Sequence, residues 1–333
     1  SMRSTTTVEV NGRVYAAPRR PVAVICYDGC DPSYLADAMV RGIAPALAAM
    51  VRDGFYASAL SAMPSFTNPN NVSIVCGAPP AVHGVSGNYW YDRETGREVM
   101  MTDEGPLRAP TILARMAHAG VRVAAVTAKD KLRKALAAEL IGKGVPGLAF
   151  SAEKAAGCTM AEHGIAADDA LGGNAVPDQY SPELSLFVLD AGVRLLERER
   201  ADLLYLSLSD FVQHAHAPGA PESDAFIRAV DDRMGRLMAA GAVVGFVADH
   251  GMTDLSLADG RPNIVFLGEL LDRHFGAGRL KVICPITDPF VRHHGSLGGF
   301  VRVHVLGDLD PVTVRDYVAG IPGVQRALLR DDL

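Results

Sequence analysis

Three apolar segments of strand length each end in an acidic residue, and this repeated pattern constrains the fold more than any other feature. The segments are VAVICYDG at residues 22–29, ADLLYLSLSD at residues 201–210 and AVVGFVADHG at residues 242–251. Continuous apolar runs of this kind are typical of strands that are covered on both faces of a parallel sheet. In such sheets ligands bind at the carboxyl ends of the strands, so Asp28, Asp210 and Asp249 are candidate site residues.

The segments around these strands alternate in type, which indicates an α/β fold. Apolar periodicity predicts helices at residues 34–52, 111–119, 182–200 and 221–240, further strands at residues 55–63, 121–127 and 147–150, and a loop at residues 157–180. We therefore expect a mostly parallel sheet flanked by helices over residues 20–260. Shorter segments follow, and they predict a small α+β cap over residues 261–333.

Composition excludes several classes of function. The chain has 333 residues, of which 49% are hydrophobic, with a net charge of −6 and a pI of about 5.9. This acidic balance argues against a nucleic-acid partner, which needs clustered lysine and arginine. No segment approaches the ~20 apolar residues of a membrane span, and we find no signal-peptide pattern, so we expect no membrane partner. The five cysteines form no CxxC pair, which predicts reduced thiols and a cytoplasmic protein; a homodimer is compatible with the sequence.

Histidines close to the acidic strand ends suggest a metal site. His250 follows Asp249 directly, and His214 lies four residues after Asp210. Mixed aspartate and histidine ligands suit Zn²⁺, Mn²⁺ or Fe, and this set is too large for one tetrahedral ion. We therefore expect two neighbouring cations. The alternative is structural, because an Asp-His pair also occurs as a capped strand end with a hydrogen-bonded histidine.

Thr67 is the candidate nucleophile. It precedes Asn68-Pro69-Asn70 and a short apolar segment at residues 72–76, which predicts a buried helix that begins at or next to Thr67. The free N–H groups and the dipole at such a helix start favour anions. Taken alone, Thr67 is as well explained as an ordinary helix cap.

In combination, these motifs resemble the alkaline phosphatase superfamily. The matching residues are Asp28, Pro64-Ser65-Phe66-Thr67-Asn68, His83-Gly84 with Asn88, Asp210-Phe211-Val212-Gln213-His214 and Asp249-His250-Gly251. Within the superfamily, the sequence is most similar to the branch of nucleotide pyrophosphatase/phosphodiesterases and phosphonoacetate hydrolases. The segments SLSDFVQH, NYWYD and VTAKDKLR carry the similarity to the latter. The resemblance spans residues 22–252 and is weaker at residues 288–295.

The resemblance implies a two-zinc centre on an alkaline-phosphatase-like core. The implied ligands are Asp28, Thr67, Asp249 and His250 for one Zn²⁺, and Asp210 and His214 for the second. The family completes the second site with a histidine of a His-Gly segment near its C-terminus. We find no matching segment before Leu333 and expect that this end of the core is absent from the chain.

The implied activity is cleavage of the carbon–phosphorus bond of phosphonoacetate through a phosphothreonine at Thr67. Asn88 would stabilise charge on the phosphoryl oxygens. A small anionic phosphonate needs cations for its carboxylate, and the candidates are Lys129, Lys131, Arg292, His293 and His294. Taken in isolation, Lys129 and Lys131 are equally typical of solvated charges that open a helix.

Two other functions remain open on sequence grounds. A phosphodiesterase or nucleotide pyrophosphatase would need an aromatic slot for a base, which Tyr89-Trp90-Tyr91 can supply. A metal-bound but inactive binding protein is the other alternative. Turnover of a nitrophenyl phosphoester would separate an inactive protein from both enzymes.

Overall fold

The computed structural model describes residues 6–101, 107–288 and 298–333. The strands, in chain order, are β1 Thr7–Val10, β2 Arg13–Ala16, β3 Val22–Cys26, β4 Tyr89–Asp92, β5 Arg97–Met100, β6 Val123–Thr127, β7 Gly147–Ser151, β8 Leu203–Ser207, β9 Val243–Val247, β10 Leu280–Ile283 and β11 Arg302–Val305. The α-helices are α1 Pro32–Val40, α2 Pro45–Asp53, α3 Thr67–Cys76, α4 Pro80–His83, α5 Ile112–His118, α6 Asp130–Leu136, α7 Met160–His163, α8 Ala167–Leu171, α9 Glu183–Glu197, α10 Phe211–Ala215, α11 Pro221–Ala239, α12 Leu267–Phe275 and α13 Pro311–Ala319.

A five-stranded sheet in the order β7-β6-β8-β3-β9 organises the larger part of the chain. Every neighbouring pair in this sheet is parallel. The predicted α/β fold with a mostly parallel sheet is therefore confirmed. Parallel pairing brings the carboxyl ends of β6, β8, β3 and β9 to one edge, and the residues that follow these ends form the candidate site described below.

The chain divides into two compact units. The first comprises Ser1–Gly87 and Met101–Met252, and the second comprises Asn88–Met100 and Thr253–Leu333. The core of the first unit consists of side chains from the sheet and from helices on its faces. Leu204 and Leu206 of β8 and Leu184 and Leu189 of α9 are fully buried in it. The domain boundary that the sequence predicts near residue 260 stays a prediction.

The second unit contains short antiparallel strands and two helices. β4 pairs with β5, and β10 pairs with β11. Apolar residues of α12, β10 and α13 form a small core of their own: Leu267, Leu271, Leu280, Val314 and Val318. Two antiparallel pairs with amphipathic helices constitute an α+β unit.

Three predicted elements differ from the structure. The single helix predicted at residues 34–52 is two helices, because Gly42 adopts φ +68° and the chain bends by 102° between α1 and α2. The strand predicted at residues 55–63 is wrong, since these residues form no strand and residues 55–60 are exposed. The loop predicted at residues 157–180 contains the short helices α7 and α8.

The burial predicted for the last acidic strand is also wrong. β9 lies at one edge of the five-stranded sheet, and its first residue, Val243, is 47% exposed. β3 and β8 lie inside the sheet, and most of their residues are buried. An apolar composition shows that a strand can be buried. Whether it has a neighbouring strand on both sides depends on its position in the sheet.

No single helix among the described residues is long and apolar enough to cross a membrane. The bent pair α1 and α2 meets the criteria of length and composition only when the two helices are counted together. Leu35, Ala38 and Leu47 of this pair are buried in the core of the first unit.

Candidate active site

Asp28, Asp249 and His250 form a buried cluster at the carboxyl edge of the sheet. Asp28 follows β3 by two residues, and Asp249 and His250 follow β9 by two and three residues. The two strands pair in parallel, so their ends are neighbours. One ligand atom from each of the three side chains lies within 4.8 Å of the others. The structure thus brings together three residues that the sequence analysis placed at the first cation.

The hydroxyl of Thr67 lies against this cluster. Thr67 is the first residue of the ten-residue helix α3, and its Oγ1 is 3.2 and 3.1 Å from the two carboxylate oxygens of Asp28. The same oxygen is 3.4 Å from Nε2 of His250. The prediction that a helix begins at or next to Thr67 is confirmed. A hydroxyl in this position combines a carboxylate that accepts its proton with the anion-favouring start of a helix.

Asp210 and His214 approach the cluster from β8, on the other side of β3. Asp210 precedes α10, and its Oδ2 is 2.7 Å from Nε2 of His214, one helical turn later. A glycine lies between this pair and the first cluster. Gly29 adopts φ +69°, and a Cβ atom at this residue would lie 3.3 Å from Cβ of Asp210 and 3.5 Å from Cε1 of His250.

The electrostatics of the cluster are unfavourable without a counter-charge. Burial, followed by the negative charges of Asp210 and Asp249, raises the pKa of Asp28 well above its usual value. Burial also raises the pKa of Asp249. For His250, burial acts to lower the pKa, but Asp249, Asp28 and Asp210 outweigh it, and the pKa is raised well above its usual value. The side chains therefore compete for protons in place of a positive charge.

These features fit a divalent cation. Two buried carboxylates and an imidazole supply the oxygen and nitrogen atoms that Zn²⁺, Mn²⁺ and Fe accept. A cation would neutralise the repulsion that raises the pKa of Asp28. Asp210 and His214 add a second carboxylate–imidazole pair at the same edge of the sheet.

Three buried polar residues that the sequence analysis missed surround the cluster. The amide of Gln213 donates a 2.7 Å hydrogen bond to the carbonyl oxygen of Asp28, and its Oε1 accepts none from the described residues. The amide of Asn71 donates to Asp249 and accepts from Tyr205. Residues 68–71 include three asparagines at the start of a helix predicted to be buried. Buried asparagines need hydrogen-bond partners, and this was the signal that could have identified Asn71. Tyr205 lies in a mostly apolar strand and carries no comparable signal.

Lys129 lies beyond the end of β6, at the same edge of the sheet. Its ammonium group donates a 3.0 Å hydrogen bond to the carbonyl oxygen of Gln179 and lies 5.0 Å from the ring centroid of Tyr180. Burial lowers the pKa of Lys129, whereas Glu153 and Asp210 act to raise it. Lys131 is half-buried in the first turn of α6.

The remaining candidate residues belong to the second unit or fall outside the described residues. Asn88 is buried in the second unit, where its N–H donates to the carbonyl oxygen of Pro285 at 2.7 Å and its side chain donates to that of Ile286. Arg292, His293 and His294 lie outside the described residues.

The sequence model of the type I phosphodiesterase / nucleotide pyrophosphatase family matches residues 22–283. The chain belongs to this family. Phosphonoacetate hydrolase from Sinorhizobium meliloti 1021, crystallised with phosphonoformate, is 46% identical with a TM-score of 0.91. The same enzyme crystallised with phosphonoacetate is 45% identical, also with a TM-score of 0.91.

Both alignments cover 96% of this chain and 77% of the other. The resemblance inferred from the motifs is therefore confirmed. It includes the alkaline-phosphatase-like core, since the similar structures share the central sheet over nearly the whole chain.

Proposed function

We propose that this chain is a hydrolase that cleaves the C–P bond of phosphonoacetate to acetate and phosphate. The observation that carries the proposal is the Thr67 hydroxyl at the start of α3, hydrogen-bonded to Asp28 beside Asp249 and His250. Similarity to a phosphonoacetate hydrolase over 96% of the chain supports the choice of substrate.

The residues of the site divide into two cation-binding sets. Asp28, Asp249, His250 and the Thr67 hydroxyl would hold one cation, and Asp210 and His214 would contribute to the second. Zn²⁺ suits this donor set best, with Mn²⁺ and Fe as alternatives. When bound, such ions supply positive charge against the phosphoryl oxygens and lower the pKa of hydroxyl groups that they contact.

Thr67 would act as the nucleophile. Its Oγ1 gives up its proton to the carboxylate of Asp28, to which it is hydrogen-bonded, and forms a bond to phosphorus as the C–P bond breaks, which leaves a phosphothreonine. The electron pair of the broken bond moves to carbon and is delocalised as the acetate enolate, which takes a proton to become acetate. Water then hydrolyses the phosphothreonine and releases phosphate, so one water is consumed overall. The first-turn N–H groups of α3 favour the anionic phosphoryl group throughout.

The leaving group explains the need for a nearby cation. The enolate concentrates negative charge on its oxygens, and the half-buried ammonium group of Lys129 is a candidate to stabilise it. Lys131, Arg292, His293 and His294 are further candidates for this contact. Asn88 is the candidate for a contact to the phosphoryl oxygens.

The decisive experiment measures phosphate and acetate from phosphonoacetate with the purified, zinc-loaded chain. Equal amounts of both products, formed by wild type and lost in Thr67→Ala, are expected. Thr67→Ser keeps a hydroxyl and should retain part of the turnover. Activity of Thr67→Ala close to that of wild type would overturn the phosphothreonine and favour attack by water. Elemental analysis of the same protein should find about two ions per chain, because the proposed ligand set exceeds one tetrahedral centre.

A phosphodiesterase is the second candidate, because the matching family model is named for that activity. Its aromatic slot would come from β4, but there Tyr89 bonds to Glu98 and the Tyr91 ring lies 5.1 Å from that of His304. Turnover of bis(4-nitrophenyl) phosphate with none of phosphonoacetate would favour it. Turnover of neither by the zinc-loaded chain would favour an inactive binding protein. A cytoplasmic location and a homodimer stay predictions of the sequence.

A further inference from the structure

The side chain of Asn71 occupies an unusual place beneath the candidate site. It lies one turn after Thr67 in α3 and is fully buried. Its Nδ2 donates to Oδ2 of Asp249 at 2.8 Å and to the carbonyl oxygen of Thr67 at 3.3 Å. One amide group thus contacts both the turn that carries the proposed nucleophile and a proposed cation ligand.

The orientation of this amide is determined by its other end. Oδ1 accepts hydrogen bonds from the hydroxyl of Tyr205 at 2.6 Å and from that of Ser207 at 3.1 Å. Both hydroxyl groups belong to β8 and are buried. Rotating the amide by 180° would place its oxygen against the Asp249 carboxylate, so the two hydroxyl groups keep the N–H groups directed at Asp249.

Asp249 is held firmly from several sides. Its Oδ1 accepts from the backbone N–H groups of Gly29 at 3.1 Å and His250 at 3.0 Å. Its Oδ2 accepts a hydrogen bond from the side chain of Asn71. Among the described residues, no other side-chain N–H group donates a hydrogen bond to this carboxylate. Without Asn71, the backbone N–H groups would hold only Oδ1 of Asp249. Its Oδ2 would then be free to move.

The geometry points to Asn71 as a positioning residue that orients Asp249 for a divalent cation and keeps it in register with Thr67. This inference rests on the proposed function, because it assumes that Asp249 binds a cation. Groups that orient a metal ligand in this way typically change metal affinity by about 10- to 100-fold when they are removed. Tyr205 acts one step further away, through the amide oxygen.

The test compares Zn²⁺ affinity in wild type, Asn71→Ala and Tyr205→Phe. Affinity is measured by competition with a chromogenic chelator, using Zn²⁺ alone, and the melting temperature is recorded with Zn²⁺ and with excess chelator. We expect Asn71→Ala to weaken Zn²⁺ binding by about 10- to 100-fold and Tyr205→Phe to weaken it less. In both variants, the rise in melting temperature that Zn²⁺ produces should shrink.

Ser73→Ala is the matched control. Ser73 lies on the same helix and donates a 2.8 Å hydrogen bond to the carbonyl oxygen of Pro69. Among the described residues, it makes no hydrogen bond to Asp249. Its removal should lower the melting temperature equally with and without Zn²⁺ and leave the affinity unchanged. The same behaviour in Asn71→Ala and Tyr205→Phe would mean that Asn71 only stabilises the fold, and the inference would be overturned.

The outcome is separable from that of the proposed function. A chain that binds Zn²⁺ but releases no phosphate from phosphonoacetate would refute the proposed substrate, while the affinities would still decide the role of Asn71. A wild-type chain that binds no Zn²⁺ would overturn both. If Asn71→Ala does not fold, Tyr205→Phe decides, because it preserves the volume and removes only one hydroxyl group.

Discussion

Replacing Lys129 by alanine should separate C–P cleavage from phosphoester hydrolysis. The ammonium group of Lys129 is half-buried and bonds at 3.0 Å to the carbonyl oxygen of Gln179, so it is held in place beyond the end of β6. Burial already disfavours its charge, as the lowered pKa shows, which leaves it ready to gain from an anionic partner. A charge-assisted contact contributes about 1.5–3 kcal/mol, which corresponds to a loss of roughly 10- to 100-fold in kcat/KM.

The expected loss is specific to the substrate. The enolate that leaves phosphonoacetate carries its charge on carboxylate oxygens, whereas the nitrophenolate that leaves 4-nitrophenyl phosphate has no carboxylate. The assay therefore compares kcat/KM for the two substrates in wild type, Lys129→Ala and Lys131→Ala. Lys134→Ala is the control, because it removes an exposed charge from the same helix. An equal loss on both substrates in Lys129→Ala would refute the reasoning and assign Lys129 to the fold or to general attraction of anions.

The effects of Thr67, the ionisable cluster and Gly29 on stability can each be measured. Thr67→Ala should keep its melting temperature within about 2 °C of wild type, because Thr67 is only partly buried, while its turnover is lost; a large fall in melting temperature would indicate a structural role instead. The rise in melting temperature that Zn²⁺ produces should grow between about pH 5 and pH 8. The raised pKa values of Asp28 and His250 make the metal-free folded state bind more protons than the unfolded state, so its stability falls as pH rises, and protons compete less with Zn²⁺. A pH-independent rise would contradict this. Gly29→Ala should lower the free energy of unfolding by about 1–2 kcal/mol because of the positive φ, measured by urea titration. The new Cβ would lie 2.9 Å from Cε of Met252, but this flexible side chain can move away at little cost. An unchanged free energy would be inconsistent with the φ of +69°.

Local pattern was sufficient for the elements that carry the chemistry. The apolar runs that end in Asp28, Asp210 and Asp249 predicted three parallel strands, because an apolar run of strand length is a signal carried by neighbouring residues in the chain. The start of α3 at Thr67 was predicted for a similar reason, since a Pro near a helix start and an apolar segment after it are local signals. The family resemblance implied that these residues belong to one site. The comparisons confirm the family.

Longer-range features were decided by tertiary structure alone. Residues 55–63 carry the apolar and β-prone composition of a strand, yet they form none, since a strand exists only where a neighbour supplies hydrogen bonds. Apolar periodicity continues through Gly42, but its left-handed backbone ends α1 and starts a new direction. Similarly, β9 has the composition of an interior strand and lies at an edge of the sheet.

The order of the strands separates features of the site that follow from neighbouring residues in the chain from features that follow from packing. Residue types determined that Asp28, Asp249 and His250 follow strand ends, because this depends only on neighbours in the chain. The contact of Asn71 with both Asp249 and Tyr205 depends on β8 and β9 flanking β3, across 178 and 134 residues of sequence. No local pattern encodes such a contact, because the hydrogen-bonding capacity of an asparagine is the same wherever it lies. Only the packing of α3 against the sheet selects its partners.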